Sequence, residues 1–211
     1  MKEALAIAVG YLLGSMPWGY WLPRAIKGVD VRRVGSGNVG AANVWRAFGL
    51  RWGLAVAGLD VAKGAAAALV GTALAGEVGG IVGGIAALVG HWRPLFLRFA
   101  RGGKIVATTA GVTLALAPLA ELAACGVWVV VFLIGRYSSL ASLAGAIALP
   151  LLAYAFGASW PIVAFTIGAS AAIIVLHRAN IRRLLSGNES RFRLRRRPPP
   201  LTRGGALPSR E

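Results

Sequence analysis

The chain of 211 residues is 57% hydrophobic and only 14% charged, and its mean hydropathy is +0.68. Because soluble domains carry about 25% charged residues, this composition excludes an ordinary soluble domain and indicates a polytopic helical membrane protein. Its 23 Lys and Arg residues outnumber its 7 Asp and Glu residues, which gives a net charge of +16, and the bases cluster between apolar runs.

The apolar runs predict an all-α bundle of about seven transmembrane spans, because one span needs about 20 apolar residues. Five runs have about that length, namely 4–22, 53–75, 78–99, 140–157 and 160–176. A sixth run, 105–135, is too long for one upright helix and short for two, at about 1.5 Å of rise per residue. Lys104 and Arg136, at its two ends, are both expected in the cytoplasm, so an even number of spans must separate them. We therefore predict two short helices there, joined by a turn at 118–121.

The basic residues predict the orientation of the bundle, since cytoplasmic loops carry an excess of Lys and Arg. They group as Arg24, Lys27, Arg32, Arg33, Arg46 and Arg51, then Arg98, Arg101 and Lys104, then Arg136. The turns on the opposite side contain Glu3, Glu77 and Glu121. We expect the N-terminus outside and the C-terminus in the cytoplasm, with 1–22 as a span and not a cleaved signal peptide, because Lys2–Glu3 is a poor basic start.

The chain divides into one membrane domain, 1–189, and a tail, 190–211, rich in Arg, Pro and Gly. We predict a disordered cytoplasmic tail that contacts anionic lipid. Nucleic-acid binding is disfavoured, because no aromatic platform accompanies the arginines. Cys125 stands alone, so it forms no intrachain disulfide. Two histidines without clustered thiols or carboxylates predict no metal site, and no cofactor is expected.

The first basic loop contains the stretch VGSGNVGAANVWR, residues 34–46. Gly35, Gly37 and Gly40 with Asp60 formally match a dinucleotide-binding fingerprint, but a charged segment precedes them and Asp60 lies in a predicted span, so we reject that interpretation. Closely spaced glycines also let successive backbone amides converge on one anion. Ser36, Asn38, Asn43 and Arg46 add side-chain donors, and a helix over 40–49 would place Asn43 and Arg46 on one face.

Two further segments carry similar chemistry. Gly102, Gly103 and Lys104 directly precede an apolar helix, where backbone donors, a helix N-terminus and a cation favour bound phosphate. His177 and Asn180 lie three residues apart, on one helical face at the end of the last span. Inside the second span, Asp60 and Lys63 are expected to neutralise one another and only secondarily to shape the site. His91 is too isolated to be a metal ligand.

The stretches GSMPWGY, VGSGNVGAANVWRAFG, LDVAKG, GHWRPLFLRFARGGKIVATTAG, YSSLAS and HRANIRRLLSGNES resemble, in that order, the PlsY family of bacterial membrane glycerol-3-phosphate acyltransferases. The resemblance implies transfer of a fatty acyl group from acyl phosphate to the 1-hydroxyl of glycerol 3-phosphate, giving lysophosphatidate and phosphate for phospholipid synthesis. It also implies the bacterial inner membrane, an active site on its cytoplasmic face, and membrane lipid and the acyl-phosphate-generating enzyme as partners.

The resemblance assigns roles to residues of three cytoplasmic motifs. The residues expected to bind glycerol 3-phosphate are Ser36, Asn38, Asn43, Arg46 and Ser142. Those expected to bind acyl phosphate are Gly102, Gly103, Lys104 and Thr108, and the catalytic set is His177, Asn180 and Lys104. His177 is either the base or a positioning residue, because a substrate phosphate could accept the proton instead. The family has glycine where this chain has Ile105, a β-branched residue that disfavours φ > 0.

A carrier for a phosphorylated metabolite or lipid is the alternative from another functional class. Charged residues inside a span and glycine-interrupted spans suit a carrier. The polar motifs, however, gather on one predicted face, whereas a carrier needs a site near the midplane and usually internal repeats. We find no such repeats, so the sequence favours the enzyme.

Overall fold

The computed structural model describes residues 1–192, and in that range the chain is entirely helical and irregular, without strands. Its α-helices are α1 (Lys2–Gly14), α2 (Trp18–Lys27), α3 (Ala41–Phe48), α4 (Leu50–Trp92), α5 (Val106–Leu116), α6 (Pro118–Gly135), α7 (Ser138–Ala155), α8 (Trp160–Leu176) and α9 (Arg178–Leu185). Short 3₁₀ turns lie at Val31–Arg33 and Leu95–Leu97. The prediction of an all-α bundle is confirmed.

The bounds predicted for the first span, 4–22, are wrong, because two helices share that segment. The α1 helix ends at Gly14 after 13 residues, and α2 begins at Trp18. Pro17 lacks a backbone N–H and disfavours a helical conformation at the residue before it, so α1 does not continue through it. Gly10 and Gly14 pack directly on the backbone of α4, where a Cβ on either would overlap Gly83 and Ala87. The α1 helix is therefore held tightly against α4.

The 43-residue α4 helix is a hairpin of two antiparallel arms. Non-helical dihedral angles at Ala75 and at Gly76 (φ 63°, ψ −155°) break it. Gly71 packs on the backbone of Gly79 beside this break, and Asp60 lies 3.5 Å from His91. In a straight helix, at about 1.5 Å per residue, those two side chains would be separated by more than 40 Å. The arms match the predicted spans 53–75 and 78–99, except that the second ends at Trp92.

The long apolar run 105–135 forms two helices, as predicted. The α5 helix has 11 residues and α6 has 18, so the division is unequal. The break lies at Ala117, just before the predicted turn, with φ −148° and Pro118 at the first position of α6. Proline is favoured there because its missing N–H would have no partner inside the helix.

Helices long and apolar enough to cross a membrane occur at Leu50–Leu97, Pro118–Gly135 and Ser138–Ala155. Another crossing is formed if α8 and α9, bent by 59°, act as one span. The first of these stretches contains the reversal at Ala75 and Gly76 and so consists of two antiparallel arms. The seven-span count and the orientation of the termini stay predictions.

The packed part of the chain extends at least to Phe192, past the predicted domain boundary at 189. Phe192 is buried between Trp45 and Phe132, and its backbone N–H donates to the carbonyl of Arg136. Residues 190–192 are therefore not part of a free tail. The remainder of the predicted disordered tail, 193–211, lies outside the described residues.

Ile105 adopts a left-handed conformation (φ 59°, ψ −7°) immediately before α5. This φ is the one that glycine at that position would adopt without strain, and it costs other L-residues about 1–2 kcal/mol. The side chain is only 3% exposed and packs in a core with Leu88 and Ile173. Because truncating a buried Ile costs about 2–5 kcal/mol, burial outweighs the backbone strain and holds Ile105 in this conformation.

We expect Ile105→Gly to be less stable than the wild type but more stable than Ile105→Ala. Both variants lose the buried side chain, and only glycine also removes the strain, worth about 1 kcal/mol. This order reverses the usual preference for alanine over glycine near helices. Thermal midpoints of the purified proteins in one detergent measure it, and an Ile105→Ala variant as stable as Ile105→Gly would contradict it.

Candidate active site

The predicted site residues Lys104 and Asn180 meet directly, although 76 positions separate them in the chain. The Lys104 ammonium donates to Asn180 Oδ1 at 2.6 Å. Asn180 reaches this place because the chain bends by 59° at His177, which turns α9 across the end of the bundle. The second and third predicted motifs therefore form one site.

Glu189, which the sequence analysis did not assign, organises the third motif. Its carboxylate accepts hydrogen bonds of 2.7 Å each from Ser139 Oγ, Asn180 Nδ2 and Arg183 Nε. Burial raises the pKa of Glu189, but these hydrogen bonds outweigh burial and hold the pKa below its usual value. The ionised carboxylate thus fixes Asn180, which in turn contacts Lys104.

Arg46 lies on the same side of the molecule, in α3. Its guanidinium carbon is 5.1 Å from the centroid of the Phe192 ring, which itself packs on Trp45. Burial lowers the pKa of Arg46 and Glu189 opposes that effect, yet a guanidinium stays charged at any pH that proteins meet. The C-terminal segment therefore positions the first motif as well as the third.

The glycine loop of the first motif is stabilised from within by Asn43. The Asn43 amide donates to the carbonyls of Val31, Val34 and Asn38, and its oxygen accepts from the Ser36 N–H. Asn43 is buried, and its hydrogen-bonding groups are occupied. Our prediction of Asn43 as a phosphate ligand is therefore corrected: it shapes the loop.

The predicted convergence of loop amides on an anion is also corrected at this loop. The Gly37 N–H bonds to the Val34 carbonyl, and the Gly40 N–H bonds to the Asn38 side chain at 2.8 Å. With the Ser36 N–H also taken, these amides are occupied inside the loop. The Asn38 side chain donates to the Gly102 carbonyl at 3.3 Å, so the first and second motifs adjoin.

The expectation that backbone amides bind an anion is also corrected at the second motif. The N–H groups of Gly102 and Gly103 donate to the carbonyls of Trp92 and His91 at 2.9 and 3.1 Å, so they are not free donors for a phosphate. Side chains at these positions would overlap the His91 carbonyl and the His91 ring. Glycine is required here for close packing, and Lys104 is the group of this motif that faces the site.

Two other predicted ligands lie deeper in the bundle. Thr108 is fully buried where α5 packs on α4 at Gly64, so its predicted contact with acyl phosphate is corrected. Ser142 donates to the Ser138 carbonyl at 2.8 Å and accepts from the Trp128 indole at 3.2 Å. It lies about one turn of α7 beyond Ser139.

The site is strongly cationic. Arg46, Lys104 and Arg183 lie around the carboxylate of Glu189. The pKa of Lys104 is lowered to about 8, mainly by burial; Glu189 opposes this shift, and the neighbouring arginines add to it. His177 Nδ1 lies 2.8 Å from the Ile173 carbonyl. Burial and the Lys104 charge lower the pKa of His177 to about 4, so His177 is neutral near pH 7.

A second polar cluster lies behind the Gly102–Gly103 loop. Asp60 and Lys63 form the expected ion pair, with 2.8 Å between Oδ1 and Nζ, and the Lys63 ammonium also donates to the Met16 carbonyl at 2.8 Å. His91 joins the pair from the second arm of α4. Sequence spacing offered no signal for His91, since the contact depends on the reversal of α4. Within residues 1–192, no group of three or more His, Cys, Asp or Glu side chains is placed to hold a metal ion.

The fold and the site together define a helical membrane protein whose cationic site is suited to anionic, phosphate-bearing compounds. The family model described as "Glycerol-3-phosphate acyltransferase" matches residues 4–187. The chain therefore belongs to the glycerol-3-phosphate acyltransferase family, whose members act in phospholipid synthesis, and it is an acyltransferase.

Individual relatives cover nearly the whole molecule. The chain is 46% identical to the glycerol-3-phosphate acyltransferase of Desulforudis audaxviator (strain MP104C), over 91% of this chain and 96% of the relative. It is 48% identical to glycerol-3-phosphate acyltransferase 2 of Moorella thermoacetica, over 89% and 96%. The crystal structure of PlsY (YgiH), an integral membrane glycerol 3-phosphate acyltransferase, in its glycerol 3-phosphate form superposes with a TM-score of 0.85 at 41% identity, over 91% and 96%. Its lysophosphatidic acid form gives 0.84 at 40% identity, over 92% and 97%.

Proposed function

We propose that this enzyme transfers a fatty acyl group from acyl phosphate to the 1-hydroxyl of sn-glycerol 3-phosphate, releasing lysophosphatidate and phosphate. The observation that carries the proposal is the 2.6 Å contact between Lys104 and Asn180, beside Arg46, which unites three motifs in one cationic site. Two substrates that each bear a phosphate suit a site with several cations and one carboxylate. The glycerol 3-phosphate and lysophosphatidic acid forms of the related crystal structures support this acceptor and this product.

In the proposed reaction, the acceptor hydroxyl oxygen attacks the carbonyl carbon of acyl phosphate. The new ester C–O bond forms, the bond from that carbon to the phosphate oxygen breaks, and phosphate departs with the electron pair. Arg46 and Lys104 each neutralise one substrate phosphate, Lys104 on the one that departs. Four residues orient the acceptor, namely Ser36, Asn38, His177 and Asn180. The hydroxyl proton passes to a substrate phosphate oxygen.

We also propose a placement in the bacterial inner membrane, and the clustering of Lys and Arg supports an orientation with the site facing the cytoplasm. Arg46, Lys104 and Arg183 all belong to the end of the bundle that carries the site. We infer seven crossings, formed by α1, the two arms of α4, and α5 to α8, with the N-terminus outside. Both substrates would then reach the site from the cytoplasm or from the inner leaflet.

Phosphate release by the purified protein tests this function. We expect release from palmitoyl phosphate only when glycerol 3-phosphate is present, together with formation of lysophosphatidate. Palmitoyl-CoA in place of palmitoyl phosphate is the matched control and should give no product. Product formation from the thioester would overturn the assigned donor, and uptake of a phosphorylated compound into vesicles without turnover would favour the carrier.

A further inference from the structure

We propose that His91 is a positioning residue of the reaction, because its ring supports Gly103 and thereby sets the place of Lys104. His91 lies at the end of the second arm of α4 and is buried. Its sequence position carries no signal for a functional role. The inference rests on the proposed function, since it concerns the same site.

The geometry that carries the inference is the close contact between the His91 ring and Gly103. A Cβ at Gly103 would overlap Nε2 of the ring and would also contact its two neighbouring carbon atoms. The Gly103 N–H in turn donates to the His91 carbonyl at 3.1 Å. Gly103 is thus held on the same residue from two directions, and Lys104 is the next residue along the chain.

The ring itself is held by the ion pair behind it. Nδ1 of His91 lies 3.5 Å from Asp60 Oδ1, and Asp60 is paired with Lys63 at 2.8 Å. The Lys63 ammonium is anchored on the Met16 carbonyl, at the break between α1 and α2. The position of Lys104 is therefore linked through His91 to both arms of α4 and to the end of α1.

This arrangement has a functional consequence because the Lys104 ammonium must meet a phosphate at hydrogen-bond distance. A displacement of about 1 Å in a positioning group can reduce turnover about 100-fold. The glycine at 103 is then required because the ring occupies the space that a side chain would take. The alternative is that a glycine is required because a phosphate approaches the backbone there.

A double-mutant cycle separates these two explanations. Gly103→Ala forces the new methyl group against the His91 ring, and we expect kcat/KM to fall by about 10- to 100-fold, with a higher KM for at least one phosphate substrate. In the His91→Ala background the methyl group has room. There we expect the same substitution to cost less than about threefold.

Gly102→Ala is the matched control. Its methyl group would overlap the backbone carbonyl of His91 and the Pro94 ring, which His91→Ala leaves in place. We expect Gly102→Ala to lower kcat/KM by the same factor in the wild type and in the His91→Ala variant. If Gly103→Ala costs the same factor with and without the ring, or if Gly102→Ala is relieved equally, the inference is overturned.

Thermal midpoints of the same variants provide a readout that does not depend on turnover, and the relief of Gly103→Ala by His91→Ala must appear there too. Where His91→Ala fails to fold, His91→Ser keeps a hydroxyl beside Asp60 and completes the cycle. If the wild-type protein shows no acyl transfer, the proposed function is overturned. The thermal midpoints would still show whether the His91 ring contacts residue 103. An active wild type without coupling would overturn only the role of His91.

Discussion

We expect kcat/KM of this enzyme to fall as the pH rises through about 8, because Lys104 loses its proton there. Burial disfavours the charged ammonium and lowers its pKa to about 8, so the group is cationic below that pH and neutral above it. A neutral amine no longer offsets phosphate charge, so kcat/KM should then decrease tenfold per pH unit. The pH profile of kcat/KM reports the pKa of Lys104 in the free enzyme. The pH profile of kcat reports the substrate complex, where a bound phosphate favours the charged form, so kcat should begin to fall at a higher pH.

Two substitutions at Lys104 test this explanation. Lys104→Arg keeps a positive charge at every accessible pH, so its alkaline limb near pH 8 should disappear even if its overall activity is reduced. Lys104→Met removes the charge, and we expect kcat to fall by about 10²–10³-fold, the cost of losing one preorganised electrostatic group. An alkaline limb unchanged in Lys104→Arg would assign the titration to another group. Thermal midpoints across the same pH range exclude unfolding as its cause.

The elements that hydropathy predicts well are those that depend on local sequence. The predicted last span coincides with α8, Trp160–Leu176, and the helix predicted over 40–49 is α3, Ala41–Phe48. The run 4–22 was misassigned because its mean hydropathy hides the interruption before Pro17. Window hydropathy averages over such a break, whereas a missing N–H acts at one residue.

Only part of the candidate site was predictable from the sequence, and its internal contacts were not. Lys104 and Asn180 could be named from residue types next to span ends, and the structure brings them together. That the amides of Gly102 and Gly103 are occupied depends on the end of α4, which local spacing does not reveal. Glycines that permit close packing and glycines that present amides to an anion look alike in a sequence.

His177 provides the second large effect, because we expect it to orient the acceptor and not to remove the proton. A carbonyl oxygen only accepts, so the 2.8 Å contact with Ile173 requires the proton on Nδ1 and leaves Nε2 with a lone pair. Its pKa of about 4 makes that lone pair a weak base near pH 7. A substrate phosphate has a second pKa of about 6, closer to the pH at which the enzyme works, and is the better acceptor.

His177→Asn should therefore keep activity within about tenfold of the wild type, while His177→Ala should lose about 100-fold. The asparagine amide can still donate to the Ile173 carbonyl and preserve the bend between α8 and α9, and alanine cannot. Neither variant carries a base, so a catalytic base at this position would require equal losses in both.

The acid limb of kcat/KM checks the same point independently. It should stay where the substrate phosphate titrates in the wild type and in His177→Asn, and it should move to higher pH with a phosphonate acceptor, whose second pKa is higher. Equal losses in the two variants, together with an acid limb that the phosphonate leaves in place, would show that His177 is the base that removes the hydroxyl proton.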